Sequence, residues 1–324
     1  SDSTYKFILK LQWSCISGVP EPTTMPLCFY NSCTSTYLSA TMTKNAGNAE
    51  LPSACPGYPT SCTFVSSSIP GTRILTYSVN VTLPSRCSNW RISSYFDHRN
   101  ISMNINNNVF YAETNINNTI YNNNTSAQSS NAALLYIRQN VPYTYAFDIS
   151  DANGDSLVIE TATPMYPNIT TSCSYTPMTS GLISKTPALN TTTNPFQTNN
   201  TFKIDNTLKA ITFSPTEAGA QLLDLNIKEY RTGTLISSHL KEIRFVVMQP
   251  SAYQYNITRN YGTTTNCIRT ADTITVCAGQ AFSFNTDIKS TSAASVLYVK
   301  DNHFYGATSA VVSYTNQNKD SVRA

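Results

Sequence analysis

The stretch LTYSVNVTL at residues 75–83 alternates between apolar side chains at odd-numbered positions and Thr, Ser or Asn at even-numbered positions. Successive side chains of a β-strand point to opposite faces, so this pattern predicts a strand with one buried face and one solvated face. The stretch YKFILKLQW at residues 5–13 also has apolar side chains at every odd-numbered position. Because no stretch of useful length has the 3.6-residue period of a helix, the sequence predicts an all-β protein.

The rest of the chain consists of short alternating runs that are separated by turn residues. This spacing is typical of tandem antiparallel β-sandwich domains of the Ig-like or cadherin-like type. We predict a disulfide-rich first domain at residues 1–130 and a second domain at residues 131–250, with a long loop at residues 163–200. Residues 251–324 begin a further Ig-like domain that is incomplete, because such a sandwich needs ~100 residues. We therefore expect the parent chain to be longer.

The composition argues against two kinds of partner. The 324 residues include 21 Lys and Arg against 18 Asp and Glu, and only 12% of the residues are charged. A chain with so few charges and a net charge of +3 lacks the basic surface that nucleic-acid binding needs. Its apolar runs are a few residues long, well short of the ~20 residues of a membrane-spanning helix. We expect neither a nucleic-acid partner nor a membrane span.

Nine cysteines report on the redox compartment. Six of them lie within the first 90 residues, and their spacings are not those of zinc knuckles. Disulfide bonds in an oxidising, extracellular setting are the better interpretation. Sequence alone leaves many pairings open, and we favour Cys15–Cys87, Cys28–Cys33, Cys55–Cys62 and Cys267–Cys277. Cys173 is then left over, and we interpret it as a buried free thiol rather than as an intermolecular bridge.

Four oxygen-bearing side chains crowd into one predicted turn: Asp148, Asp151, Asn153 and Asp155. Oxygen ligands at alternate positions suit a hard cation, so a structural Ca²⁺ is one interpretation. The other is a tight hairpin, because Asn153-Gly154 is a strong two-residue turn signal and Asp favours turns. An EF-hand loop would place its Gly later and a Glu at the twelfth position. We favour the hairpin, keep calcium as the second choice and expect no other cofactor.

The sequence contains no recognisable catalytic motif. Its three histidines, His98, His239 and His303, fall in three different predicted domains. A G-x-S-x-G elbow, an H-E-x-x-H pair and a P-loop are all missing from the sequence. Trp90 follows Cys87 closely, and an aromatic residue in this position usually packs in the core against a disulfide. The sequence therefore predicts a protein that is not an enzyme and has no catalytic residues.

Several motifs carry a family resemblance. They are YTYAFDISDANGDSLV at residues 143–158, KAITFSPTEAG at residues 209–219 and EYRTGTLISSHLKEIRFVV at residues 229–247. Upstream, VTLPSRCSNWRISSYFDHRNISMN at residues 81–104 and YKFILKLQWSC at residues 5–15 add to the resemblance. Together they resemble a module of the gliding-motility-associated surface proteins of Bacteroidota, the SprB-like adhesins and filaments that the type IX secretion system exports.

The resemblance implies a function at the cell surface. A member of this family is an extracellular, non-catalytic protein of a bacterial cell surface, part of a large adhesin or filament that serves gliding or surface attachment. Its partners are other copies, other cell-surface proteins or surface polysaccharide. The alternative from another class is a carbohydrate-binding accessory module of a secreted hydrolase, which needs an exposed row of aromatic side chains. A polymerising subunit, which needs strand edges that pair between copies, is a third interpretation.

The resemblance also bears on glycosylation. Bacteria of this group attach O-linked glycans to Ser or Thr in D-[ST]-[AILVMT], and the matching residues here are Ser3, Ser156, Thr273 and Ser321. The chain also contains many N-x-[ST] motifs, including Asn80 and Asn100, which a eukaryotic secreted protein would glycosylate. If the resemblance holds, we expect a glycoprotein with O-linked rather than N-linked sugars.

Overall fold

A computed structural model describes residues 4–15, 18–47, 49–51, 59–67, 71–106, 109–121, 123–129, 134–168, 173–249, 257–265, 267–270, 273–276, 283–290, 315–318 and 321–323. The chain divides into two compact units, Ser1–Gln249 and Pro250–Ala324. Every regular element of the described residues is a β-strand, and no described helix is long and apolar enough to cross a membrane. The all-β prediction is confirmed, while the Ig-like or cadherin-like type stays a prediction.

The described residues of the first unit form eighteen strands. The first nine are β1 (Thr4–Ser14), β2 (Thr24–Asn31), β3 (Thr36–Lys44), β4 (Ala49–Glu50), β5 (Thr72–Thr82), β6 (Trp90–Phe96), β7 (Phe110–Ile116), β8 (Gln128–Ser129) and β9 (Leu134–Arg138). The next nine are β10 (Tyr143–Ala146), β11 (Ile149–Ser150), β12 (Ser156–Thr161), β13 (Met165–Pro167), β14 (Pro177–Thr179), β15 (Lys203–Asp205), β16 (Ala210–Phe213), β17 (Gly219–Arg231) and β18 (Thr234–Met248). The alternating stretch at residues 5–13 lies in β1, and all but the last residue of the one at residues 75–83 lie in β5. These two strands pair in antiparallel register.

One 11-stranded sheet dominates this unit and curls into a half-barrel. Its strand order is β1-β5-β3-β2-β6-β7-β18-β17-β12, with β4 beside β5 and β9 beside β18. All of its pairs are antiparallel except β9–β18, which is parallel. Three smaller antiparallel sheets, β10-β16-β15, β8-β11 and β13-β14, complete the unit. The strands β13 and β14 lie inside the predicted loop at residues 163–200.

Two large apolar cores and a smaller cluster around the Cys28–Cys173 disulfide lie in the described part of the first unit. The first is built from β1, β2, β3, β5, β6 and the turn before β6, and Trp90, Phe29 and Leu75 are fully buried in it. The second is built from β9, β10, β12, β16, β17 and β18 and includes Phe245 and Phe213. The buried residues of the first core lie between residues 11 and 92, and those of the second lie between residues 137 and 247. However, β7 of the first half pairs with β18 of the second, so the residues on both sides of the predicted border near residue 130 share one sheet.

Three disulfide bonds join the described cysteines: Cys15–Cys62, Cys28–Cys173 and Cys33–Cys87. They indicate an oxidising, non-cytoplasmic location. Cys28–Cys173 closes the longest loop, with a sequence separation of 145 residues, and ties β2 to the segment between β13 and β14.

The predicted pairings of these cysteines are wrong. Cys28 lies inside β2, and the extended backbone from Cys28 to Asn31 alone spans ~10 Å, too far for a bond to Cys33. Cys33 instead reaches Cys87, and Cys173 is not a free thiol. Cys62 pairs with Cys15 rather than with Cys55. The positions of Cys55 and Cys277 lie outside the described residues, as does the side chain of Cys267.

The second unit has six described strands: β19 (Ile257–Thr265), β20 (Cys267–Thr270), β21 (Thr273–Val276), β22 (Ser283–Ser290), β23 (Thr315–Asn318) and β24 (Ser321–Arg323). They form a four-stranded antiparallel sheet in the order β19-β22-β24-β23 and a hairpin of β20 and β21. This unit is therefore β-structured as well, in agreement with the sequence pattern.

Candidate functional site

A cavity of about 1410 Å³ opens on the concave side of the half-barrel, lined by β1 on one side and by β7 and β18 on the other. It exists because the curled sheet does not close, so the first core is left open between these strands. The aromatic and aliphatic side chains on that open side are only half-buried: Tyr5, Phe7, Leu9, Phe110 and Ile116. This cavity is our candidate functional site.

The backbone of β1 presents one unused edge to this cavity. Cys15 N donates to Gly71 O at 3.1 Å, at the end of the β1–β5 pairing. Because hydrogen-bonded and non-hydrogen-bonded pairs alternate along an antiparallel ladder, the odd-numbered residues of β1 are those that hydrogen-bond to β5. The even-numbered positions therefore direct their N–H and C=O groups to the opposite edge. At Gln12 this carbonyl accepts a hydrogen bond from Asn100 Nδ2 at 3.3 Å. At Lys6, Ile8 and Lys10, no strand of the described residues pairs with this edge.

Four cationic side chains that line the cavity take part in none of the ion pairs between described residues: Lys6, Lys10, Lys241 and Arg244. Burial, followed by the nearby charge of Lys10, lowers the pKa of Lys241 to about 8. Burial also lowers the pKa of Arg244, whose Nε and Nη1 atoms are buried without a hydrogen-bond partner among the described residues. The cavity thus combines apolar side chains with an excess of cationic ones, since five Lys and Arg residues line it against Glu113, Asp224 and Glu242.

His239 lies on the same strand as Lys241 and is neutral at neutral pH. Burial, followed by the charge of Lys241, lowers its pKa to about 4. Its Nδ1 atom lies 3.8 Å from Glu229 Oε1, and this contact is not an ion pair because the imidazole carries no charge. Glu229 is fully buried and accepts hydrogen bonds from the Ala127 N–H and from Asn124 Nδ2.

A buried charge cluster closes one end of the site. Arg99 Nε lies 3.0 Å from Glu242 Oε2, without hydrogen-bond geometry, and Arg99 Nη2 donates to Met165 O at 2.8 Å. Asp224 lies directly across from Glu242 in the β17–β18 pair. Burial, then the charge of Glu242, raises the pKa of Asp224 well above its usual value, and Arg99 opposes that rise. Burial also raises the pKa of Glu242.

Asp151, Asn153 and Asp155 lie in the turn between β11 and β12, whereas Asp148 precedes β11. None of these four predicted calcium residues lines the cavity. Asp151 Oδ1 accepts the N–H groups of Asn153 at 2.8 Å and of Asp155 at 3.0 Å. Both carboxylate oxygens of Asp155 bind Arg231, each at 2.7 Å. Asn153 Oδ1 accepts the N–H of Thr125 at 2.8 Å.

The structure brings Glu229 to two of the predicted residues. Carboxylate oxygens of Asp151, Asp155 and Glu229 lie within 4.8 Å of one another, whereas Asp148 is not part of this cluster. The sequence missed Glu229 because it lies on β17, far from the turn along the chain. Only the β12–β17 pairing brings it close.

The predicted glycosylation residues and the histidines lie in different parts of the chain. Ser156 is exposed at the start of β12, whereas Ser3 and the side chains of Thr273 and Ser321 lie outside the described residues. His98 stacks on Phe96 with a centroid distance of 5.5 Å and lines the same cavity as His239, although the sequence placed the two in different domains. His303 lies outside the described residues.

Comparisons with family models, with curated proteins and with solved structures found no match to this chain.

Proposed function

We propose that this chain is a non-catalytic structural or adhesive protein of a bacterial cell surface, part of a large adhesin or filament. The observation that carries the proposal is the covalent bracing of the half-barrel. Cys28–Cys173 links β2 of the large sheet to the segment between β13 and β14, and Cys15–Cys62 and Cys33–Cys87 brace the strands around β1 and β2. A protein that transmits force outside the cell gains from bonds that do not yield when strands separate.

The outer surface supports the same proposal. Only 12% of the residues are charged, so Thr, Ser and Asn supply most of the polar surface. Such a surface makes weak contacts individually, and adhesion through many repeated modules would depend on avidity. Gliding motility, export by the type IX secretion system and O-glycosylation at Ser156 belong to this proposal through the family resemblance of residues 143–158 and 229–247.

The test is an adhesion assay under flow with beads that carry the purified oxidised protein. We expect the beads to resist detachment from polysaccharide-coated and bare glass surfaces, and we expect beads with the reduced and alkylated protein to detach at lower shear. Electron microscopy of the same preparation reports whether copies assemble into filaments. Beads that detach as easily as albumin-coated beads, together with a monodisperse preparation, would contradict the proposal.

The rival function is a carbohydrate-binding accessory module, which needs a row of exposed aromatic rings. Among the described residues, Tyr37 on β3 and Phe64 in a loop are the exposed aromatic side chains, with 42% and 59% of their surface accessible. They lie on separate elements and do not form a row. A glycan array with strong binding to one sugar class, lost in Tyr37→Ala, would favour this rival.

A further inference from the structure

We propose that the cavity between β1 and β18 is an acceptor groove for an extended polypeptide segment in which apolar and acidic residues alternate. The segment would add to the sheet as a strand beside β1. This inference goes beyond the adhesive role and holds whether or not the protein is adhesive.

The backbone determines the kind of occupant. Three even-numbered positions of β1, Lys6, Ile8 and Lys10, direct N–H and C=O groups to an edge that no described strand covers. An added strand satisfies such groups at the spacing of a β-ladder, as in β-strand addition. An alkyl carboxylate has neither donors nor repeated acceptors for them, so a polypeptide fits this edge better than a fatty acid does.

The side chains of β1 determine the sequence pattern of that segment. The odd-numbered residues Tyr5, Phe7 and Leu9 face the open core and are only half-buried. On an added strand, the residues that share this face would be apolar and would cover these rings together with Phe110. The even-numbered Lys6 and Lys10 point to the other face and are exposed. The partner residues beside them would be acidic, because opposite charges on neighbouring strands attract.

Charge in the cavity supports an acidic partner over a neutral one. Lysines on an exposed edge strand are also a common protection against aggregation, which would explain Lys6 and Lys10 alone. It does not explain Lys241, which is half-buried on the facing strand near Lys10 and has no ion-pair partner among the described residues. Lys10 and Lys241 both line the cavity and their charges repel each other, and an anionic occupant removes that repulsion.

The probe for this groove is a fluorescein-labelled peptide of sequence EVEVEVEV, measured by fluorescence anisotropy with the full oxidised chain. We expect saturable binding and at least tenfold weaker binding of KVKVKVKV, which has the same apolar pattern and opposite charge. Lys10→Gln and Lys241→Gln should each weaken binding about tenfold. Lys228→Gln is the matched control, because Lys228 lies on β17, pairs with Glu160 and does not line the cavity.

A second variant tests the backbone. In Ile8→Pro the missing N–H is the one at the open edge, so the β1–β5 pairing is preserved as on natural edge strands. We expect this variant to keep its three disulfides and its melting transition but to lose peptide binding. Hydrogen exchange of the wild type should show the amides of Ile8 and Lys10 slowed by EVEVEVEV and not by KVKVKVKV.

Four results would overturn the proposal. The first is that EVEVEVEV does not bind. The second is that EVEVEVEV binds equally well to the wild type, to Ile8→Pro and to Lys241→Gln. Displacement of the peptide by sodium laurate at equal concentration would make the cavity an amphiphile site. Amides of Ile8 and Lys10 that are already protected in the free chain would show that another part of the protein covers this edge.

Discussion

Asp224 and Glu242 lie opposite each other on β17 and β18, and Arg99 is the cation beside them. The pKa of each carboxyl is raised, by burial first and, for Asp224, also by the charge of Glu242. Two buried carboxyls that share one arginine cannot both be charged at low cost. We infer that the pair holds a proton that the unfolded chain releases. Between the ordinary carboxyl pKa and the raised one, the folded state binds more protons, so stability falls as pH rises through this window.

This linkage predicts the effect of Asp224→Asn, which keeps the shape of the side chain and removes its charge. The free energy of unfolding should increase by about 1 kcal/mol at pH 7, and its decline as the pH rises above the ordinary carboxyl pKa should become shallower. Urea denaturation at several pH values measures both effects. Asp97→Asn is the control, because Asp97 is exposed two residues before Arg99. A variant that is less stable than the wild type at pH 7 would show that Asp224 is charged and usefully paired.

The acidic turn leads to a prediction about calcium. Most of the oxygen atoms that could bind an ion are already used: Asp151 Oδ1 holds the turn, both oxygens of Asp155 hold Arg231, and both oxygens of Glu229 accept hydrogen bonds. Asp151 Oδ2 alone among these carboxylate oxygens has no hydrogen-bond partner in the described residues, and one oxygen is too few for Ca²⁺. We therefore expect isothermal titration of the chelator-treated protein with Ca²⁺ to give no heat at micromolar concentration, and the melting temperature to be the same with and without calcium. A micromolar signal that disappears in Asp151→Ala would restore the metal interpretation.

At the scale of the elements, the hairpin β17–β18 turns over Thr232 and Gly233. Arg231 pairs with Thr234, so the loop has two residues, and both have positive φ, 48° and 81°. This is the pattern of a type I′ turn, in which Asn-Gly is the preferred pair. Thr is a poor choice at its first position, because a β-branched side chain is strained at positive φ.

Thr232→Asn should therefore stabilise the hairpin by about 0.5–1 kcal/mol, and Gly233→Ala should destabilise it by about 1 kcal/mol or more. The midpoint of urea denaturation measures both. Thr232 Oγ1 lies 3.4 Å from Tyr121 Oη, so Thr232→Val serves as the control that removes the hydroxyl but keeps the branching. Equal stability of the Asn and Val variants would contradict the turn argument.

The strands also show which parts of the fold the sequence predicts. The two-residue alternation predicts strands β1 and β5 directly, because it shows which side chains lie on the buried face of the sheet and which on the exposed face. Alternation does not record which strand lies beside which. The β7–β18 pairing, the Cys28–Cys173 bond and the approach of Glu229 to Asp151 all depend on residues that are far apart in sequence, and none was predicted. The groove was missed for the same reason, since only the three-dimensional arrangement places Lys241 opposite β1.

At the scale of the whole molecule, four kinds of link join the two halves of the first unit. The sheet continues from β7 to β18, and Cys28–Cys173 is a covalent link. Arg99 pairs with Glu242, and the Asn104 side chain binds the backbone of Leu222 through both its Nδ2 and its Oδ1 atoms. Cores connected in this way share the cost of unfolding, because opening one half breaks contacts of the other.

We therefore predict that residues 1–249 of the full chain unfold in one transition, although the sequence suggested a border near residue 130. Phe245→Ala removes a fully buried ring from the second core and should cost about 3–5 kcal/mol. Hydrogen exchange read by mass spectrometry should then show faster exchange in β2 and β6 of the first half as well as in β17 and β18. Val65→Ala is the control, since Val65 is 87% exposed. Faster exchange confined to the second half would mean that the halves unfold separately, and the border near residue 130 would then be a true domain boundary.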